Sequence, residues 1–314
     1  MNKGKELFFK YGNWFSKSDS LPLRISRSGI KIIFPFYHTV SDNALPHIQH
    51  LYASPSIKKF KDDLDFMLKY FEPMHPDELE NLPTIQKNKF LLSFDDGLKE
   101  MFEIVAPVLK QKGIPAIFFI NSDFTDNKKL FYRYKVSVLI HKLKLSAAEK
   151  KRFLNFKYAD IKEIDQYAEK NGIDFYAFLK NQQPYLSTMQ IKKMSADGFI
   201  FGGHSIDHPQ YSEISIDEQI RQTKESIQFV KQITGQEKNY FAFPFTDEGV
   251  NEQFFISMHR IRDLNLRYTF GTAGLRQPGD MHLQRIPMEI KNYSANQILN
   301  SEYRWYMIKK MLGR

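Results

Sequence analysis

A chain of 314 residues with 42% hydrophobic residues, 28 of them Phe, is long enough to bury a substantial core and is not disordered in composition. It contains no cysteine, which excludes disulfides, thiolate metal sites and cysteine nucleophiles, so any metal would have to use His, Asp or Glu. The formal charge is +9, with basic residues among aromatics at both ends (KELFFKYGNWF and EYRWYMIKKMLGR); this favours anionic partners such as lipid headgroups, although a solvated basic surface has the same composition, and nucleic acid ranks last because no nucleic-acid motif accompanies the charge.

In chain order, MNKGKELFFKYGNWFSKSDS lacks the continuous apolar core of a signal peptide, and no stretch approaches ~18 uncharged apolar residues. The expectation is a cytoplasmic protein, at the inner face of the membrane if the basic ends engage lipid. Residues 30 to 37 (IKIIFPFY) read as a buried strand running into His38. The pair His47 and His50 in HIQH reads as surface, since no carboxylate pair or strand end accompanies it. Apolar spacing predicts a helix over 56–71, then a strand at 90–94 ending in Asp95-Asp96-Gly97, a helix at 99–112 stopped by Gly113, and a strand at 115–120. Residues 125 to 195 are Lys-rich and helical in pattern, and read as an insertion. Beyond them come a strand at 198–203 running into His204 and His208, and a helix at 216–233 opened by a Ser215–Glu218 capping box. A strand at 240–243, a helix at 251–262, strands near 267–270 and 282–286, and a helix after Ser294 complete the chain. Short buried strands alternating with helices imply parallel βα units, here one domain over 1–314 carrying the insertion.

Two adjacent carboxylates at the end of an apolar strand repel each other and lose water, so they imply a cation, a proton to be moved, or a solvated turn. His204 and His208 are four residues apart, but the nine histidines of this chain would produce about 0.3 such pairs by chance, so spacing alone is weak. Position is the stronger argument. Asp95-Asp96, His204-His208 and His38 each follow a buried strand, and parallel strands deliver all three to one rim. Two neutral histidines and one carboxylate make a three-ligand site with positions open for water and substrate, leaving the second carboxylate for proton transfer. A non-haem iron oxygenase shares that donor set but does not account for the adjacent aspartate.

SFDDG, HSIDH and FAFPF resemble motifs of the polysaccharide deacetylases, the NodB-homology or family 4 carbohydrate esterases, over most of residues 30 to 290. The resemblance implies a distorted (β/α)7 barrel of the NodB type, with the mostly helical insertion at 125–195. It also implies metal-dependent removal of N-acetyl groups from amino sugars. On this chain Asp95 matches the general base, Asp96, His204 and His208 the metal ligands, and the backbone N–H of Phe245 the oxyanion donor. The metal would be divalent, zinc by precedent, with Co, Ni, Mn or Fe accepted by the same ligands. Many members carry an arginine in the third motif; Ala242-Phe243-Pro244-Phe245-Thr246 does not, and Arg285 is the candidate to reach in from a neighbouring strand. The missing arginine leaves a catalytically inactive carbohydrate-binding relative as the alternative. For the acid, His38 in YHTV resembles the YHxV motif of a subgroup and is preferred to His282, which reads as an exposed loop residue. Asp247 and Glu248 would line the groove or be solvated. The partner implied is an acetylated amino-sugar glycan or its lipid-linked or nucleotide-linked precursor.

Overall fold

The computed structural model describes residues 20–313, so the aromatic and basic N-terminal stretch KELFFKYGNWF lies outside the described residues. Among the described residues eleven short strands carry the fold: β1 (Ile32–Ile33), β2 (Pro35–Tyr37), β3 (Glu72–Pro73), β4 (Lys89–Phe90), β5 (Leu92–Phe94), β6 (Ala116–Ile120), β7 (Ile200–Gly203), β8 (Asn239–Ala242), β9 (Leu266–Gly271), β10 (His282–Gln284) and β11 (Ile286–Pro287). Eight of them form one all-parallel sheet in the order β10-β9-β8-β7-β6-β5-β2-β11. Its two edges, β10 and β11, are halves of one stretch interrupted at Arg285, so the sheet curls into a nearly closed barrel of seven staves. This is the distorted (β/α) barrel expected from the sequence.

The sequence reading of single strands at 30–37, 90–94 and 282–286 is corrected in detail, because each is two short strands in tandem. β4 pairs with β1 on one side and β3 on the other in a small three-stranded sheet, before the chain enters the barrel as β2 after β1 and β5 after β4. Period-two alternation sorts the side chains. Phe34, Leu91, Ile117, Phe119, Tyr240, Phe270 and Leu283 fill the barrel. Tyr37, Leu92, Phe94, Phe118 and Phe201 face the helices instead. Phe94 and Phe118 stack at 5.1 Å, and burying each ring contributes about 1.5–3 kcal/mol. Because Leu91 and Ser93 share the inward parity, Asp95 comes off β5 pointing to the barrel mouth. A Cβ on Gly202 would meet the Phe119 ring at 2.4 Å and the Tyr240 carbonyl at 2.9 Å, so only glycine lets β7 pass there.

The helices differ from expectation at their ends and in one interior. Residues 99–112 are not one α-helix: a π-helical turn, Met101–Val105, precedes the helix Ala106–Lys112. Pro107 has no N–H to give the Glu103 carbonyl, and the widened turn absorbs the loss. Ser215 caps the helix Ile216–Thr234 through the Glu218 N–H, but Glu218 turns to Arg221 at 2.6 Å instead of closing the reciprocal box. Within 125–195, helices Tyr132–Lys142, Ala147–Leu154, Ile161–Lys170 and Phe175–Gln182 share a second core that also takes in Ile48 and Leu98, whereas the helix Thr188–Ala196 packs Ile191 and Met194 into the main core. The last helix, Ala295–Met311, buries Ile298, Leu299 and Tyr303. Among the described residues no helix is long and apolar enough to cross a membrane.

Candidate active site

The site assembles from strand ends at one rim of the barrel. The last rung of the ladder, Asp95 N–H to Tyr37 O at 3.0 Å, leaves Asp95 and Asp96 just beyond β5 and His38 just beyond β2. His204 follows β7, its N–H donating to Ile120 O at 2.9 Å. Four side-chain-bearing residues here hold left-handed backbone: Asp96 (φ 72), Ser205 (φ 68), His208 (φ 65) and Phe245 (φ 57). Such strain persists only where the surroundings impose it; Asp96, His208 and Phe245 face the common cavity, and Ser205 Oγ accepts from the His208 N–H.

Asp96 Oδ1 lies 3.4 Å from His204 Nε2 and 3.2 Å from His208 Nε2, and has no hydrogen-bond donor among the described residues. His204 Nδ1 sits 2.8 Å from Ala242 O, which makes it the protonated nitrogen and turns the Nε2 lone pair toward Asp96. One ligand atom from each of Asp96, His204 and His208 lies within 4.8 Å of the others, and all three residues are buried. A buried carboxylate oxygen without a donor, faced by two imidazole nitrogens, is a donor set that fits a divalent cation.

Asp95 faces the other way. Its carboxylate is gripped in fork geometry by Arg285, Nη1 to Oδ1 at 2.6 Å and Nη2 to Oδ2 at 2.7 Å. Arg285 is fully buried and itself held, with Nη1 donating to Ser93 Oγ at 3.1 Å and the guanidinium 4.3 Å from the Phe36 ring centre. Burial opposes ionisation of Asp95, but Arg285, helped by His204 and His38, outweighs it and keeps the carboxyl below its ordinary value.

His38 Nδ1 lies 2.6 Å from Glu289 Oε2, while Glu289 Oε1 accepts from the N–H groups of His38 and Thr39 at 2.9 and 3.0 Å. Burial pulls the imidazole toward neutrality, yet the Glu289 carboxylate, with Asp96 and Asp95 behind it, raises its pKa to about 9. His38, Asp95, Asp96, His204, His208 and Phe245 line one cavity of about 270 Å³. The Phe245 ring packs 4.6 Å from that of His208; Phe245 is the middle residue of a three-residue turn closed by Thr246 N–H onto Pro244 O, and its own N–H finds no acceptor among the described residues.

Three readings are corrected. His282 is no exposed loop residue: it lies on β10, outside the cavity, bonded to Thr269 and Asp247. Asp247 neither lines the cavity nor stands in solvent; it accepts from Thr272, His282 and Gln284 and ties its loop to the barrel over Gly271, where a Cβ would collide with its carboxyl at 2.4 Å. Glu248 is exposed. His47 is buried against Tyr134 with neither ring nitrogen partnered among the described residues, and burial lowers its pKa to about 3. Sequence reasoning missed Glu289, although IPMEI places an acid just after the strand that carries Arg285. It also missed Tyr134, whose hydroxyl donates to Asp96.

The family model described as "Polysaccharide deacetylase" matches residues 83–258, more than half of the chain. The chain belongs to the polysaccharide deacetylase family. No curated protein matches this member of the family. Among solved structures it is similar to the Streptococcus pyogenes deacetylase PplD in complex with acetate, at 18% identity and a TM-score of 0.59 over 87% of this chain and 98% of that one. It is also similar to IcaB from Ammonifex degensii, at 18% and 0.57 over 87% and 97%. A de-N-acetylase from Aggregatibacter actinomycetemcomitans gives 14% and 0.57 over 86% and 99%. At these identities the likeness establishes the shared fold.

Proposed function

We propose that this polysaccharide deacetylase is a metal-dependent hydrolase that removes N-acetyl groups from amino sugars of a glycan or of its lipid-linked or nucleotide-linked precursor. The observation that carries the reading is the division of labour between the adjacent aspartates. Asp95 is pinned by Arg285, whereas Asp96 Oδ1 has no donor among the described residues and faces two imidazoles. A divalent cation held by Asp96, His204 and His208, zinc first, would supply Lewis acidity to the acetamide carbonyl and the attacking water. Asp95, kept ionised and oriented by Arg285, takes the proton from that water. The Phe245 N–H, turned out by its left-handed backbone, donates to the oxyanion as it develops. His38, charged by its pairing with Glu289, protonates the departing amine; without that proton the tetrahedral species would collapse back to the amide. The inactive-relative alternative rested on a missing arginine, and Arg285 at Asp95 weakens it.

The test is metal content of the purified protein together with acetate release from N-acetylglucosamine oligomers, with and without chelator. One bound metal and chelator-sensitive release support the proposal, with Asp95→Asn keeping metal but losing turnover and His204→Ala losing both. Failure to take up metal after reconstitution with zinc, cobalt or nickel overturns it.

A further inference from the structure

Two tyrosines outside the machinery above connect the helical segment to the ligand set. Tyr134 lies on the helix Tyr132–Lys142, is fully buried, and donates its hydroxyl hydrogen to Asp96 Oδ2 at 2.8 Å. Its oxygen also lies 2.9 Å from the Tyr52 hydroxyl. A phenol has one hydrogen to give, and an ionised carboxylate can only accept, so Tyr134 spends its hydrogen on Asp96 and Tyr52 is the donor to Tyr134. The Tyr52 ring lies 5.0 Å from that of His38, so a single hydrogen-bonded run extends from beside the acid to the ligand carboxylate.

The two oxygens of Asp96 therefore have separate partners, Oδ2 held by Tyr134 and Oδ1 turned to His204 and His208. A carboxylate on a left-handed residue, with one oxygen free, would rotate and spread its charge over several orientations. The bond from Tyr134 selects one. Tyr134 is itself immobilised, its ring stacked nearly parallel to Tyr185 at 6.2 Å and edge-on to Phe131 at 5.0 Å. Phe131 in turn packs 4.4 Å from the ring of His208. One short run of the helical segment thus braces two of the three ligands.

We infer that Tyr134 is a positioning residue for Asp96, supported by Tyr52, and that the segment 125–195 is in this way a working part of the metal site. The inference rests on the ligand assignment proposed above.

Outer partners of metal ligands, when removed, typically cost about 10- to 100-fold in affinity. The experiment is a chelator-competition titration of metal-free protein with zinc, and with cobalt(II) followed by its visible absorption, for the wild type, Tyr134→Phe and Tyr52→Phe. Tyr134→Phe keeps the ring and deletes only the donor. Its zinc affinity should fall by about 10-fold or more, with an altered cobalt spectrum, and its turnover should recover at excess zinc with KM unchanged. Tyr52→Phe should lose a smaller factor. If Tyr134→Phe does not fold, the Tyr52→Phe titration decides alone, and wild-type affinity there overturns the inference. Wild-type affinity and spectrum in a folded Tyr134→Phe overturn it too, while the metal assignment survives. A wild type that binds neither ion removes the ligand assignment itself.

Discussion

At His38 two effects compete for one proton, and the outcome sets a pH limit. Burial favours the neutral ring, whereas the Glu289 carboxylate 2.6 Å away favours the cation, and Asp96 and Asp95 add to that pull. The charges win, and the folded pKa stands at about 9 against an ordinary 6.5. Because the folded value is raised, the stability contributed by the pair is complete below the unfolded pKa and is lost as pH rises through about 9. The same direction governs the proposed acid role, for His38 can give up a proton only while it is protonated. Glu289→Gln keeps acceptors for the two backbone N–H groups but removes the anion, so burial regains control of the ring. The alkaline limb of the kcat/KM profile between pH 6 and 10 should then move down by on the order of one unit or more. An unmoved limb would take the acid's role away from His38. His282→Ala is the control: that ring is engaged with Thr269 and Asp247 outside the cavity, and its loss should leave the limb in place.

At the scale of elements, the helix Tyr132–Lys142 shares a hydrogen bond with Asp96, a proposed metal ligand, and coupling of this kind is reciprocal. If Tyr134 steadies Asp96 for a cation, the bound cation must steady Tyr134 and the helix around it. Amide hydrogen exchange on zinc-loaded and chelated protein should show metal-dependent slowing in residues 131–142 larger than in the helix Ile216–Thr234, which contributes no ligand. Equal slowing in both would mean that the helical segment senses the metal only through global stability. This coupling was not legible in the sequence. Residues 125–195 carry no motif, and a tyrosine among apolar neighbours on a helix reads as core. The strand ends were legible, because the apolar runs before Asp95, His38 and His204, alternating with helices, predict both the parallel arrangement and its common rim. The split of helix 99–112 escaped because Pro107 near a helix start is ordinarily harmless, and only the turn preceding it changes.

For the molecule as a whole, Arg285 joins closure of the barrel to the orientation of Asp95, the proposed base. Its backbone N–H reaches Gly271 O between β10, which pairs with β9, and β11, which pairs with β2, so the residue sits where the two edges of the sheet meet. Its side chain crosses the interior to Asp95 beyond β5, on the far side of β2 in the sheet order. The resemblance made Arg285 a candidate to orient Asp95, but the residues alone could not show the contact, because it spans 190 positions and depends on how the sheet curls. A fully buried pair of this kind is costly to break from one side only. Arg285→Met leaves the Asp95 carboxylate unpaired, and Asp95→Leu leaves the guanidinium so; each should lose about 3–5 kcal/mol in urea unfolding of the metal-free protein. The double variant Asp95→Leu/Arg285→Met removes both charges at similar volume and should be more stable than either single, while all three lack turnover. If the double variant instead loses the sum of the two singles, the pair contributes no coupling, and the barrel closes at residue 285 through its backbone alone.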